Sequence, residues 1–175
     1  MILGFAINLF TTTIWAQTPV TAVAPEDSLK PYQKYPTLPA FNIMLLDSAT
    51  IFNTYNIPEG KPAAIVFFDP NCKHCKRSIG ALLKAMDSVK DVQFYFITPT
   101  HDFTALRNFY TEYRMAGFKN IQAMGRDYEF FFLSYYKNKS FPAVVVYDAH
   151  KKLLKMKEGE FTATEIYKWV NEPGK

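Results

Sequence analysis

Two cysteines with two residues between them, Cys72-Lys73-His74-Cys75, stand where the hydrophobic pattern of the chain changes period. Before them, Ala63-Ala64-Ile65-Val66-Phe67-Phe68 is an unbroken apolar run, which suits a strand covered on both faces. Asp69-Pro70-Asn71 ends that run. After them, Ile79, Leu82, Leu83, Met86 and Val89 recur at three- and four-residue spacing, which predicts an amphipathic helix. A buried strand that passes directly into a helix needs layers on both sides of its sheet, so the chain should be α/β.

The remaining elements follow the same logic. Phe41 to Leu46 and Ala49 to Phe52, joined at Asp47-Ser48, predict a hairpin ahead of the core. Val92 to Ile97 is a second buried strand, stopped at Thr98-Pro99. A helix carries Leu106, Phe109, Tyr110 and Tyr113, with its end expected at Gly117. Ile121 to Met124 is expected as a short edge strand, and Asp127 can cap a helix running through Phe130 to Tyr136. That aromatic segment, Tyr128 to Tyr136, has the spacing of core rather than of a partner surface. Phe141 to Tyr147 and Lys152 to Met156 form a closing hairpin. Thr162 and Glu165 form a capping box for the last helix, with Phe161 and Ile166 placed as a hydrophobic staple. The strand–helix–strand half should be right-handed and parallel, the closing hairpin antiparallel, and the sheet therefore mixed.

The first 37 residues have a different character. Met1 to Ala24 carries no charged side chain, and the apolar stretch Ile2 to Phe10 leads to a small residue at Ala16. Residues 1–16 read as a secretory signal peptide, or as an amino-terminal anchor if retained. At about 14 residues the segment falls short of the ~20 that span a bilayer. Residues 17–37 hold four of the eleven prolines, with Pro39 just beyond, and read as an extended linker. The folded domain is expected over 38–175. With 49% hydrophobic residues that domain has ample material for a core, and two cysteines exclude a disulfide-stapled miniprotein. The formal charge of +4 does not argue for nucleic acid.

The dithiol carries the chemistry. In a first helical turn the unpaired backbone amides favour a thiolate on the leading cysteine. Cys72 is then the candidate nucleophile and Cys75 the resolving thiol. Lys73, His74, Lys76 and Arg77 surround them where acidic residues would suit the helix dipole better, and Lys73 and His74 are candidates for tuning the pair. A zinc site normally takes four ligands, and only His101 and His150 remain outside the motif. Covalent haem attachment needs His where Lys76 stands. A Cu(I) site built from Cys72, Cys75 and His74 is chemically reasonable and stays open beside the redox reading, as does a non-catalytic interaction domain.

Ile65 through Lys76 is similar to the strand–CxxC–helix signature of the thioredoxin superfamily, and Phe141-Pro142 looks like that family's cis-proline element. The chain thus resembles a thioredoxin-like three-layer fold, with a central mixed sheet flanked by helices and an extra N-terminal β-hairpin. That hairpin resembles the exported thiol–disulfide oxidoreductases of TlpA and ResA type. The resemblance implies reduction of protein disulfides in the periplasm or cell envelope, an upstream thiol/disulfide electron donor, no cofactor, no metal, and a substrate groove at Phe141 and Pro142. Membrane association is implied only if the N-terminal segment is retained. Four positions depart from the family pattern: Asn71 replaces a common Trp before the first cysteine, Val66 replaces a buried acid, Gly80 replaces a helix proline, and the bulky Phe141 stands before the cis-proline where a small or β-branched residue is usual. Asp69 could stand in for the missing acid, or serve only as a turn residue.

Overall fold

The computed structural model describes residues 29–172. The signal segment 1–16 and the first part of the expected linker lie outside the described residues. Seven strands form one sheet: β1 (Asn42–Leu45), β2 (Ile51–Asn53), β3 (Ala63–Phe67), β4 (Gln93–Thr98), β5 (Ile121–Arg126), β6 (Ala143–Tyr147) and β7 (Leu153–Glu158). Their order across the sheet is β2-β1-β5-β4-β3-β6-β7. Strands β3, β4 and β5 run parallel, while β6 pairs antiparallel with β3, β7 with β6, and β1 with both β2 and β5. The sheet is mixed, as the element order predicts.

Every residue of β3, β4 and β6 is buried, which explains why these strands read as continuous apolar runs rather than alternating ones. The pleat splits β3 between two cores. Ala64, Val66 and Phe68 face helices α2 (Lys73–Lys84), α3 (Phe103–Glu112) and α5 (Ala163–Asn171) through Ile79, Leu82, Phe109 and Ile166. Ala63, Ile65 and Phe67 face the other side, covered by α4 (Phe131–Tyr136). There Phe132 stacks on Phe67 at 4.3 Å between centroids, and Tyr136 packs against Phe132 with its ring tilted. The buried Tyr136 and Tyr147 hydroxyls satisfy each other at 2.6 Å. The segment Tyr128 to Tyr136 therefore contributes core side chains, with Phe132 and Tyr136 fully buried.

Local signals act where the sequence places them. Asp127 accepts hydrogen bonds from Phe131 N–H and Phe132 N–H and so caps α4. Thr162 and Glu165 complete the capping box of α5, with Phe161 and Ile166 both buried beside it.

Three expectations are corrected. Residues 121–124 are not at the sheet edge: β5 lies between β4 and β1. The N-terminal hairpin reaches it because Gly125 has no side chain; a Cβ there would stand 2.4 Å from the Met44 carbonyl oxygen. Second, α3 ends at Glu112 rather than at Gly117, because Arg114 adopts a left-handed φ of 50° and turns the chain into a short 3-10 turn over Met115–Gly117. Third, residues 30–37 are packed rather than extended. Helix α1 (Pro31–Lys34) puts Tyr32 against Tyr136 at 5.7 Å, Tyr135 donates its hydroxyl hydrogen to the Tyr35 carbonyl, and Thr37 bridges Lys152. The aromatic residues between the prolines supply contacts that proline spacing does not reveal.

Substitution of Gly125 by Ala is expected to destabilise the protein by about 1–3 kcal/mol, the usual cost of overpacking. Denaturant unfolding checks this, and hydrogen exchange should quicken first at the β1–β5 pairing. Unchanged stability would contradict the close approach of Met44.

Candidate active site

The dithiol sits at the carboxyl end of β3. Pro70 is buried, and Asp69 closes the turn by accepting the Asn71 N–H on its carboxylate at 2.7 Å, while its carbonyl accepts the Cys72 N–H. Asp69 is thus the turn residue of this junction. Cys72 takes the N-cap position of α2 with an extended backbone, and its sulfur accepts the Cys75 N–H at 3.4 Å. A thiol occupies the place that Ser, Asp or Asn usually fills, so a helix-start amide that needs an acceptor is directed at sulfur.

The two cysteines differ sharply in environment. Both are free thiols; Cys72 is half-buried and Cys75 is fully buried. Burial pushes the Cys75 thiol up to about 12, with its hydrogen bond to Cys72 and the nearby Cys72 and Asp69 charges acting in the same direction. A hydrogen bond from the Asp69 N–H to Cys75 Sγ, at 3.5 Å, opposes this only in part. One sulfur is reachable, and the other holds its proton beneath it.

Phe141 and Pro142 lie at the same end of the sheet. Phe67, the last residue of β3, pairs with Ala143, so the residues just before β6 face the turn that leads to Cys72. The Phe141–Pro142 peptide is cis, Pro142 is buried, and Phe141 stacks on Phe67 at 5.1 Å. Lys73 and His74 are exposed on the outer side of the first helical turn. His74 does not converge with the cysteines, because its Nδ1 lies 2.6 Å from Glu160 Oε1. Among the described residues, no group of three or more His, Cys, Asp and Glu is placed to hold a metal ion.

Glu160 is the residue that sequence reasoning missed. It comes from the loop between β7 and α5 and takes Arg77 through both carboxylate oxygens, Nε donating at 2.8 Å to Oε2 and Nη2 donating to Oε1. It supplies the anion that the first turn of α2 lacks in sequence. Its neighbours are also tied to the site. Gly159 N–H donates to the Pro142 carbonyl at 2.8 Å, and the buried Ser78 hydroxyl of α2 donates to the Phe161 carbonyl and accepts the Phe161 N–H. Residues 159–161 therefore connect the dithiol helix to the cis-proline edge. Nothing local to Gly159-Glu160-Phe161 signals this, since its partners lie about 80 residues upstream or precede β6.

Gly80 also has a reason. Its absent side chain leaves room for Tyr113, whose Cε1 would be 3.3 Å from a Cβ, and whose hydroxyl donates to the Lys76 carbonyl. Helix α3 thereby braces α2 one turn beyond the dithiol.

Hydrogen bonds from Arg77, then His74, hold the Glu160 carboxyl down at about 2, against an ordinary 4.5. A depressed carboxyl contributes stability above its unfolded value that is lost as pH falls through the folded one. The Glu160–Arg77 contact should therefore persist at pH 4.5 and dissolve only towards pH 2. An NMR titration of the Glu160 carboxyl checks this, and a midpoint near 4.5 would contradict it.

Comparison with known proteins agrees with this geometry. A family described as a thioredoxin-like domain matches residues 55–172, about two-thirds of the chain. No curated protein matches significantly. Among solved structures, a secreted Mycobacterium tuberculosis disulfide oxidoreductase homologous to E. coli DsbE superposes with a TM-score of 0.60 at 22% identity, covering 74% of this chain and 93% of that one. StoA from Bacillus subtilis superposes at 0.58 with 14% identity, covering 77% and 98%. The thioredoxin domain of a Bacteroides vulgatus thiol-disulfide oxidoreductase gives 0.59 at 18% identity, covering 77% and 96%. At these identities the likeness is one of fold. With the family match over residues 55–172 beside it, the chain belongs to the thioredoxin-like domain family.

Proposed function

We propose that the protein is a thiol–disulfide oxidoreductase of the cell envelope, working in the reducing direction on protein disulfides, with Cys72 as nucleophile and Cys75 as resolving thiol. The observation that carries this reading is the asymmetry of the pair: Cys72 caps the helix at a half-exposed position, while Cys75 is buried with its thiol pushed up to about 12. The Cys72 thiolate attacks one sulfur of a partner disulfide. A Cys72–partner bond forms, the partner's own S–S bond breaks, and the departing sulfur takes a proton from solvent. Cys75 then gives up its proton and attacks Cys72 Sγ. The intramolecular disulfide forms, the mixed disulfide breaks, and the second partner thiolate leaves and is protonated. Two electrons pass from the dithiol to the partner, and an upstream thiol donor restores them.

Phe141 and Pro142 would line the groove that receives the partner's backbone, and Lys73 and His74 would tune the potential. Export is supported by the uncharged N-terminal segment and by the secreted character of the Mycobacterium tuberculosis protein of the same fold. The reducing direction is supported by the similarity to envelope proteins of TlpA and ResA type.

Insulin reduction with a thiol donor tests the reading. The intact protein should turn over, Cys72→Ser should abolish turnover, and Cys75→Ser should accumulate the mixed disulfide. Inactivity of the intact protein with several donors and substrates would contradict it. A reduction potential near about −270 mV fits a reductase, and one near about −120 mV an oxidant.

A further inference from the structure

The cluster His74–Arg77–Glu160 is formed by side chains that the exchange chemistry itself does not use. Its side chains keep 64%, 61% and 40% exposure, yet five of their polar atoms meet at hydrogen-bond distance. Nδ1 of His74 lies 2.6 Å from Glu160 Oε1 and 2.8 Å from Arg77 Nη2. These two contacts exclude each other as hydrogen bonds: a protonated Nδ1 donates to the carboxylate, and a bare one accepts from the guanidinium. The shorter contact, to a charged acceptor, fits a proton on Nδ1. Glu160 thus holds both the ring of His74, which stands between the two cysteines in sequence, and a guanidinium one turn further along α2.

Arg77 also couples to the dithiol. It is held above its ordinary range chiefly by Glu160, with a smaller contribution from charge on Cys72. The carboxylate and the thiolate therefore compete for the same guanidinium. The other charges about this turn are Lys73, Lys76 and Asp69. Asp69 is committed to the Asn71 N–H and acts on Cys75.

We propose that Glu160 is a positioning residue that sets the redox poise of the Cys72–Cys75 couple, by holding the Arg77 guanidinium and the His74 ring on its carboxylate and away from the Cys72 sulfur. The inference rests on the oxidoreductase reading above. Its sign follows from the competition: with Glu160 in place the thiolate gains less from the Arg77 guanidinium, the reduced form is less favoured, and the dithiol is a stronger electron donor. Loss of the carboxylate frees the guanidinium for the thiolate and makes the couple more oxidising.

Glutathione equilibria and the pH profile of Cys72 alkylation test this on the full chain, in wild type, Glu160→Gln, a His74→Ala/Arg77→Gln background with and without Glu160→Gln, and Ser78→Ala. Glu160→Gln should shift the equilibrium about two- to fivefold toward reduced protein, the size an exposed ion pair allows, and should lower the pH at which Cys72 reacts. The same change in the double-variant background should shift neither, since the guanidinium and the ring it releases are absent. Ser78→Ala loosens the same loop without altering its charge, and should leave both readings in place. An unmoved equilibrium in Glu160→Gln, a shift that survives in the double-variant background, or an equal shift in Ser78→Ala would each overturn the proposal. A Cys72–Cys75 pair that never forms a disulfide would overturn the oxidoreductase reading and this inference together. A pair that forms one but ignores Glu160 overturns this inference alone.

Discussion

The cap that Cys72 places on α2 organises this end of the molecule. A sulfur accepts the amide of the residue three positions later, and that residue is the second cysteine. One interaction therefore fixes where the helix begins, which sulfur faces outward, and which is carried beneath the first turn. Cys75 packs in the core with Ile79 and Leu82, while Cys72 stays half-exposed at the cap. A Ser or Asp cap would start the same helix equally well, but it would place no thiol there.

This arrangement needs a rigid floor and fixed walls. The floor is β3, buried along its full length between β4 and β6. One wall is the helix pair α2–α3, braced by Tyr113 against Lys76. The other is the cis-proline edge, linked back to α2 through Gly159, Glu160 and Phe161. That short loop touches the proline carbonyl, the residue between the cysteines, and a buried serine on the same helix. It joins three parts of the site that are distant in sequence, and it does so with backbone groups and one carboxylate.

The central strands, the helix after the dithiol, the closing hairpin, and the caps at Asp127 and Thr162 were legible in the sequence, because each is specified by neighbours within a few residues. Three features were not. The interior position of β5 depends on Gly125 meeting Met44 across a long sequence separation. The docking of residues 30–37 depends on Tyr32 and Tyr35 finding α4, and proline content alone pointed to an extended chain. Glu160 is invisible because the excess of positive charge at the helix start is read locally, while its counter-charge arrives from the β7–α5 loop. At the site, the cysteines and the Phe141–Pro142 element could be chosen by residue type and position. The carboxylate that confronts His74 could be found only once the chain was folded.

The account turns on one accessible sulfur above one buried, protonated sulfur. Alkylation of the fully reduced protein with iodoacetamide at neutral pH, mapped by peptide mass spectrometry, tests it most directly. The account predicts carbamidomethyl on Cys72 alone, with Cys75 reacting only after denaturation. Equal labelling of both cysteines, or labelling of Cys75 first, would contradict it.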